Sequence, residues 1–358
     1  MILRNRHAKY LTTANMLLIT CLTILTLSCG GSSSSNRRSM DQGNADSNPR
    51  PYFNEFDSSE GVDIVISYGQ SNAVGSGIIQ ATPFHYDTGN TKAQKCEYES
   101  INSYINGVCA IYNPISNPSD ISLKGGYSSW TSFDQRLSTL SNRKMLLING
   151  AAGGKYLTDL LPMPEEDTDN PPPYLALILH TKHAIAHYGE EHINSISIIW
   201  LQGEAEASLM AASAWDINTK NAYLKKYFEN LTYLHQSIIL DLDIPKLNMF
   251  IDRVGVVDQE IFSAQFSSNL NDLGYWQIEF CVLVSFCNPL SILPRTFSHS
   301  NGLLATDGIH YSNLGYDMLG EENANNFYIQ LDSPNSLSFV LAAENQEYPP
   351  TTIIEPPF

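Results

Sequence analysis

The sequence predicts a three-layer α/β/α sandwich built around a mostly parallel central sheet, and two observations carry that prediction. Short apolar runs at residues 62–68, 145–148 and 198–201 alternate with longer helical patterns, as strands joined by crossover helices do. Each run also passes directly into a polar or glycine-containing turn: Gly69-Gln70-Ser71-Asn72, Asn149-Gly150-Ala151-Ala152-Gly153-Gly154, and Gln202-Gly203-Glu204-Ala205-Glu206. Open α/β sheets bind ligands outside the carboxyl ends of their strands, so chemistry is expected at these turns.

The first run, Val62 to Tyr68, reads as a buried strand. Residues 174–188 predict a helix with apolar Leu175, Leu177, Ile178, Leu179, Ala184 and Ile185, stopping at Gly189. Residues 221–240 predict an amphipathic helix, 246–254 a strand, 279–286 a further strand and 313–331 a closing helix. Strands this apolar are covered on both faces. No internal repeat is visible. Residues 78–143, which hold few helical or strand patterns, and residues 255–306 read as insertions at the rim of a site. They carry Trp130, Phe262, Phe266, Tyr275, Trp276, Phe297 and His299, which suit either a carbohydrate cleft or the packing of long surface loops.

A serine follows the first strand, and Asp307-Gly308-Ile309-His310 lies near the other end of the chain. A serine hydroxyl is a weak nucleophile until a base takes its proton, and that base needs a third group to fix its tautomer. Asp307 and His310, three residues apart, can supply both for Ser71. The alternatives are a solvated Asp–His pair and a serine that only caps a turn. Gly69-Gln70-Ser71-Asn72-Ala73 lacks the second glycine of a Gly-x-Ser-x-Gly elbow, and the serine-first order excludes a chymotrypsin-like arrangement. His299 has no acid at short spacing and is not expected to be the base.

The ordered set Gly-Gln-Ser-Asn, Ala-x-Gly-Gly, Trp-x-Gln-Gly-Glu and Asp-Gly-x-His resembles the SGNH (GDSL-type) hydrolases over roughly residues 62–330. Within them it is similar to the carbohydrate acetylesterase branch, which includes sialate O-acetylesterases and family-6 acetylxylan esterases. The resemblance implies a flavodoxin-like sandwich, Ser71 as nucleophile, and Asp307 and His310 as its triad partners. It also implies an oxyanion hole made by the backbone N–H groups of Ser71 and Gly154 and the side chain of Gln202. The family usually reads Gly-Glu-Ser-Asp where this chain has Gly203-Glu204-Ala205-Glu206, and methionine is common where Ala73 stands. Neither departure removes a triad group. The implied activity is removal of O-acetyl groups from carbohydrate, with no metal or organic cofactor. The alternatives are a glycan O-acetyltransferase and a non-catalytic glycan-binding surface lipoprotein.

The 358 residues carry a formal net charge of −17, which disfavours nucleic acid and anionic lipid as partners. Acetylated carbohydrate is the expected partner; the sequence does not specify an oligomeric state. Residues 1–29 read as an export signal: Arg4, Arg6 and Lys9 precede a threonine-broken apolar stretch and Ser28-Cys29-Gly30-Gly31. This resembles a bacterial lipoprotein cleavage site with Cys29 as the lipidated residue, although leucine falls at −2 and −4 rather than −3. The expectation is therefore an exported lipoprotein on the cell envelope, with a periplasmic or secreted protein next, touching membrane only through Cys29. Residues 30–60 read as a tether, 61–335 as the hydrolase domain and 336–358 as a tail.

Four further cysteines remain, and pairing Cys96 with Cys109 and Cys281 with Cys287 is the simplest of three connectivities. Their spacing does not suit zinc. His180, His183 and His187 share a helix face without a carboxylate and are expected to be solvated rather than metal-bound. Glu204 and Glu206 are expected to pack and hydrogen-bond rather than to act as a glycosidase pair.

Overall fold

The computed structural model describes residues 61–75, 93–97, 111–114, 128–141, 144–162, 172–213 and 215–332, all within the unit spanning Arg50–Phe358. The expected signal, tether and tail, Cys29 and Cys109 lie outside the described residues.

Among the described residues seven strands form one sheet: β1 (Val62–Gly69), β2 (Ala93–Glu97), β3 (Ile111–Pro114), β4 (Lys144–Asn149), β5 (Ile193–Leu201), β6 (Asn248–Asp252) and β7 (Cys287–Ser291). Their order is β3-β2-β4-β1-β5-β6-β7. Every neighbouring pair is parallel except β2–β3, so the antiparallel strand sits at an edge. All eight residues of β1 are buried, as a strand covered on both faces requires.

Alternation along the strands divides the core in two. Ile64, Ile66, Tyr68, Ile198, Trp200, Met249 and Ile251 point to one face. There they meet α3 (Pro173–Tyr188), α4 (Glu204–Ala212), α5 (Ile217–Leu242) and α6 (Ala264–Leu283). Val65, Met145, Leu147, Ile199 and Phe250 point to the other, against α2 (Trp130–Leu140) and α7 (Asn313–Asp332). The result is the expected α/β/α sandwich. Local chemistry sets the helix starts: Pro173 stands at the first turn of α3, Asp216 accepts from the Thr219 N–H at 2.8 Å, and Ser263 accepts from the Phe266 N–H at 3.2 Å.

Three expectations are corrected. Residues 279–283 end α6 rather than forming a strand, and the next strand begins at Cys287. The apolar run 279–286 hides a helical period that starts upstream, at Phe266, Leu270 and Leu273, all buried. The supposed insertion at 255–306 therefore contains α6 and β7. Its Phe266, Trp276 and Phe297 are buried, with Phe262 and Tyr275 packed against the core, so none of these five forms a free sugar platform. The supposed insertion at 78–143 likewise contains β2, β3 and α2, with Trp130 buried against Phe133.

A disulfide joins Cys281 near the end of α6 to Cys287 at the start of β7, as expected. Among the described residues no helix is long and apolar enough to cross a membrane.

Candidate active site

The carboxyl ends of β1, β4 and β5 lie side by side in the sheet, so the three turns singled out in the sequence converge. The chain leaves β1 through Gly69, whose φ of +141° and close approach to the Leu201 carbonyl leave no room for a Cβ. Gln70 follows, donating its N–H to that same carbonyl at 3.1 Å. Half-buried Ser71 then opens a single helical turn, α1 (Ser71–Val74). Beside it, the segment after β4 is tied to β1 by the Gly150 N–H to the Ser67 carbonyl at 2.9 Å and the Ala152 N–H to the Gly69 carbonyl at 3.0 Å. Gly154 has φ +70° and opens onto free space.

Asp307 and His310 meet as expected: His310 Nδ1 lies 2.6 Å from Asp307 Oδ2. The other carboxylate oxygen accepts the backbone N–H groups of Ile309 at 3.1 Å and His310 at 3.0 Å. Burial is the largest single influence on Asp307 and pushes its pKa up. The hydrogen bonds from the His310 ring and these backbone groups outweigh it, so the carboxyl titrates below its usual range. With Nδ1 committed to Asp307, Nε2 is the nitrogen left for a substrate-side proton.

Asn72 joins this pair to the Ser71 segment. Its Nδ2 donates to the Ile309 carbonyl at 3.3 Å, while its Oδ1 accepts the Tyr311 N–H at 3.3 Å and the Tyr316 hydroxyl at 3.0 Å. Both neighbours of His310 are thus held by the residue after Ser71. Asn72 is itself oriented by Glu204, whose Oε1 accepts its Nδ2 at 2.7 Å. Glu204 is almost fully buried, and burial raises its pKa against the pull of Asn72 and His310. Motif reading quoted Asn72 without giving it a role; its place directly after the serine was the available signal.

Gln202 is fully buried at the end of β5. Its Nε2 donates to Glu206 in a short hydrogen bond, to the Lys155 carbonyl at 3.2 Å and to Gln70 Oε1 at 3.4 Å. Glu206 also accepts the Leu157 N–H at 2.6 Å, so it secures the loop that carries Gly154. Both glutamates therefore have hydrogen-bonding roles. Tyr156, exposed on that loop, is an aromatic ring beside the site that the sequence reading passed over.

His299 does have an acid, though none at short spacing in the chain. Its Nδ1 lies 2.7 Å from Asp258 Oδ2, which is brought from the loop after β6. Its Nε2 is held by the Ala305 carbonyl in a short contact. On α3, His180 is buried rather than solvated as expected, and burial pushes its pKa down to about 3 and lowers that of His183; the His187 side chain lies outside the described set. No group of three metal-ligating side chains occurs among the described residues.

Burial raises the pKa of Glu206 from 4.5 to about 7. An acid that holds its proton more tightly when folded costs nothing below its unfolded value, and its ionisation removes stability as pH rises through the folded one. The full cost above that point is on the order of 3 kcal/mol at about 1.36 kcal/mol per unit. Glu206→Gln should therefore gain on the parent between pH 5 and pH 8 in urea unfolding. Parallel stability profiles for the two proteins would remove this role for Glu206.

A family model described as carbohydrate esterase, sialic acid-specific acetylesterase, matches residues 61–328. No curated protein sequence matches the chain. Among solved structures, NanS is similar at 12% identity, covering 77% of this chain and 99% of that one with a TM-score of 0.51. A protein from Arabidopsis thaliana is similar at 16% identity, covering 75% and 98% with a TM-score of 0.49. So is a structure described as a novel carbohydrate acetylesterase from Xanthomonas citri, at 13% identity, covering 75% and 56% with a TM-score of 0.49. The chain belongs to the sialic acid-specific acetylesterase family of carbohydrate esterases, and its enzyme class is that of a carbohydrate O-acetylesterase.

Proposed function

We propose that the chain releases acetate from O-acetylated sugars through an acetyl-enzyme on Ser71. The observation that carries this reading is the Asp307–His310 pair, held on both sides by Asn72 next to Ser71. Ser71 Oγ attacks the acetyl carbonyl as its proton passes to His310 Nε2, and Asp307 stabilises the imidazolium. The N–H groups of Ser71 and Gly154 and the Gln202 amide receive the developing oxyanion. The tetrahedral adduct then expels the sugar oxygen, which takes the proton from His310. Water, deprotonated by His310, attacks the acetyl-enzyme, releasing acetate and restoring the Ser71 hydroxyl. Sialic acid O-acetyl esters are the first substrates to test, given the family to which the chain belongs.

Ser71→Ala should keep the fold and lower kcat by about 10⁶-fold, the scale of a lost nucleophile. Acetate release is measured on a panel of acetylated glycans, with and without an acceptor sugar. Normal turnover by the variant overturns the mechanism, and acetyl transfer to the acceptor by the parent protein would make it a transferase.

Gln202 has a harder geometric task, because its amide must release one present acceptor to reach an oxyanion. Gln202→Ala should lower kcat by about 10²–10³-fold with KM little changed, since the negative charge exists only in the transition state. A folded variant with near-normal kcat takes Gln202 out of the oxyanion hole and leaves the triad intact.

The leader supports export with a lipid on Cys29. Cys29→Ser should abolish incorporation of labelled fatty acid and move the protein from the membrane fraction to the soluble one. Unchanged fractionation and labelling would rule out that anchor.

A further inference from the structure

The loop that presents Asp307 and His310 is fastened to the rest of the molecule at Ala305 and Gly308. The Gly308 carbonyl accepts the Asp258 N–H at 2.9 Å, and the Gly308 N–H returns to the Ala305 carbonyl at 2.9 Å. The Ala305 N–H donates to the His310 carbonyl at 2.8 Å, closing the loop on itself. Gly308, at φ +72°, comes so close to Asp258 that a Cβ would meet the Asp258 Cβ at 2.9 Å. His299 then bridges the two anchors, with Nδ1 on Asp258 Oδ2 and Nε2 on the Ala305 carbonyl. Asp258 is oriented in turn, since its Oδ1 accepts the Glu260 N–H at 2.8 Å.

Both ring nitrogens of His299 face oxygen acceptors. A neutral imidazole carries one N–H and one lone pair, so it donates to one of the two acceptors in either tautomer. The Asp258 carboxylate that faces Nδ1 is largely shielded from solvent. With Nε2 engaged, His299 is not available as a base. Two segments thus meet at the His299–Asp258 contact: the loop after β6 and the connection from β7 to α7, which bears both His299 and His310.

We propose that His299 and Asp258 are positioning residues for the esterase reaction, forming a hydrogen-bonded clamp that sets where His310 stands relative to Ser71. This rests on His310 being the catalytic base. The clamp touches neither substrate nor the reacting atoms, so its removal should alter turnover and not binding. Misplacement of a reacting group by 1 Å can cost about 10²-fold. One link in a loop held by several hydrogen bonds should cost on the order of ten-fold.

The test uses the full-length protein with an acetylated sugar, comparing kcat, KM and thermal stability across variants. His299→Ala, Asp258→Ala and the double variant should each lose about ten-fold in kcat at unchanged KM, because the second removal finds the clamp already broken. Asp258→Asn should retain most turnover: its amide can donate to Nδ1 of a neutral His299, whose Nε2–H keeps the Ala305 carbonyl. The low-field proton resonance that His310→Ala abolishes, which reports the Asp307 bond, should broaden in His299→Ala. A merely structural histidine would lower the melting temperature and leave kcat per folded molecule and that resonance alone. If His299→Ala does not fold, His299→Gln decides, with reduced kcat supporting the clamp and wild-type kcat overturning it. Independent, multiplying losses in the double variant also overturn it. Full acetate release by His310→Ala overturns the underlying triad and the clamp together, whereas an inactive His310→Ala beside a fully active His299→Ala overturns the clamp alone.

Discussion

The candidate site depends on one carboxamide. Asn72 lies in the turn after β1, and the His310 segment comes from more than two hundred residues further along the chain. Without a link between them, Ser71 and His310 would be placed only by the packing of loops. Asn72 makes that link with both ends of its side chain, donating to the carbonyl before His310 and accepting the N–H after it. A buried amide left half-satisfied is expensive, so each of these bonds enforces the others. The small apolar cluster beneath, with Ala73, Val74, Leu304, Tyr311 and Tyr316, gives the same two segments a dry contact.

Two buried acids extend that order across the sheet end. Glu204 sits behind Asn72, and Glu206 one turn edge further along ties Gln202 to the Leu157 N–H. One acid therefore steadies the Asp307–His310 side and the other the Gly154 loop, from a single helix start. Both carboxyl groups are buried at raised pKa, so ionising them opposes folding. Their placement serves geometry at a cost in stability, as is common where a site must be held rigid.

Much of this was legible in the sequence because the relevant signals are local. An apolar run ending in a turn announces β1, β4 and β5, and Asp307 lies close enough in the chain to His310 for their pairing to be anticipated. Signals spread over a longer period were missed. The final turn of α6 is indistinguishable from a strand unless Phe266, Leu270 and Leu273 are read with it. Trp130 and Trp276 carry no mark in the sequence that separates a rim aromatic from a core one; burial decides, and burial is tertiary. Asp258 escaped notice for the same reason, since 41 residues of chain separate it from His299 and only the fold brings them to 2.7 Å.

The departure from the usual family motif now has a physical context. Where the family commonly carries an aspartate, Glu206 is longer by one methylene. From the first turn of α4 its carboxylate spans the gap between Gln202 and the Leu157 N–H. Gln202 in turn holds the Lys155 carbonyl, so the pair grips the Gly154 loop at two points on either side of Tyr156. A shorter acid in the same backbone position reaches less far and would require the loop to move inward.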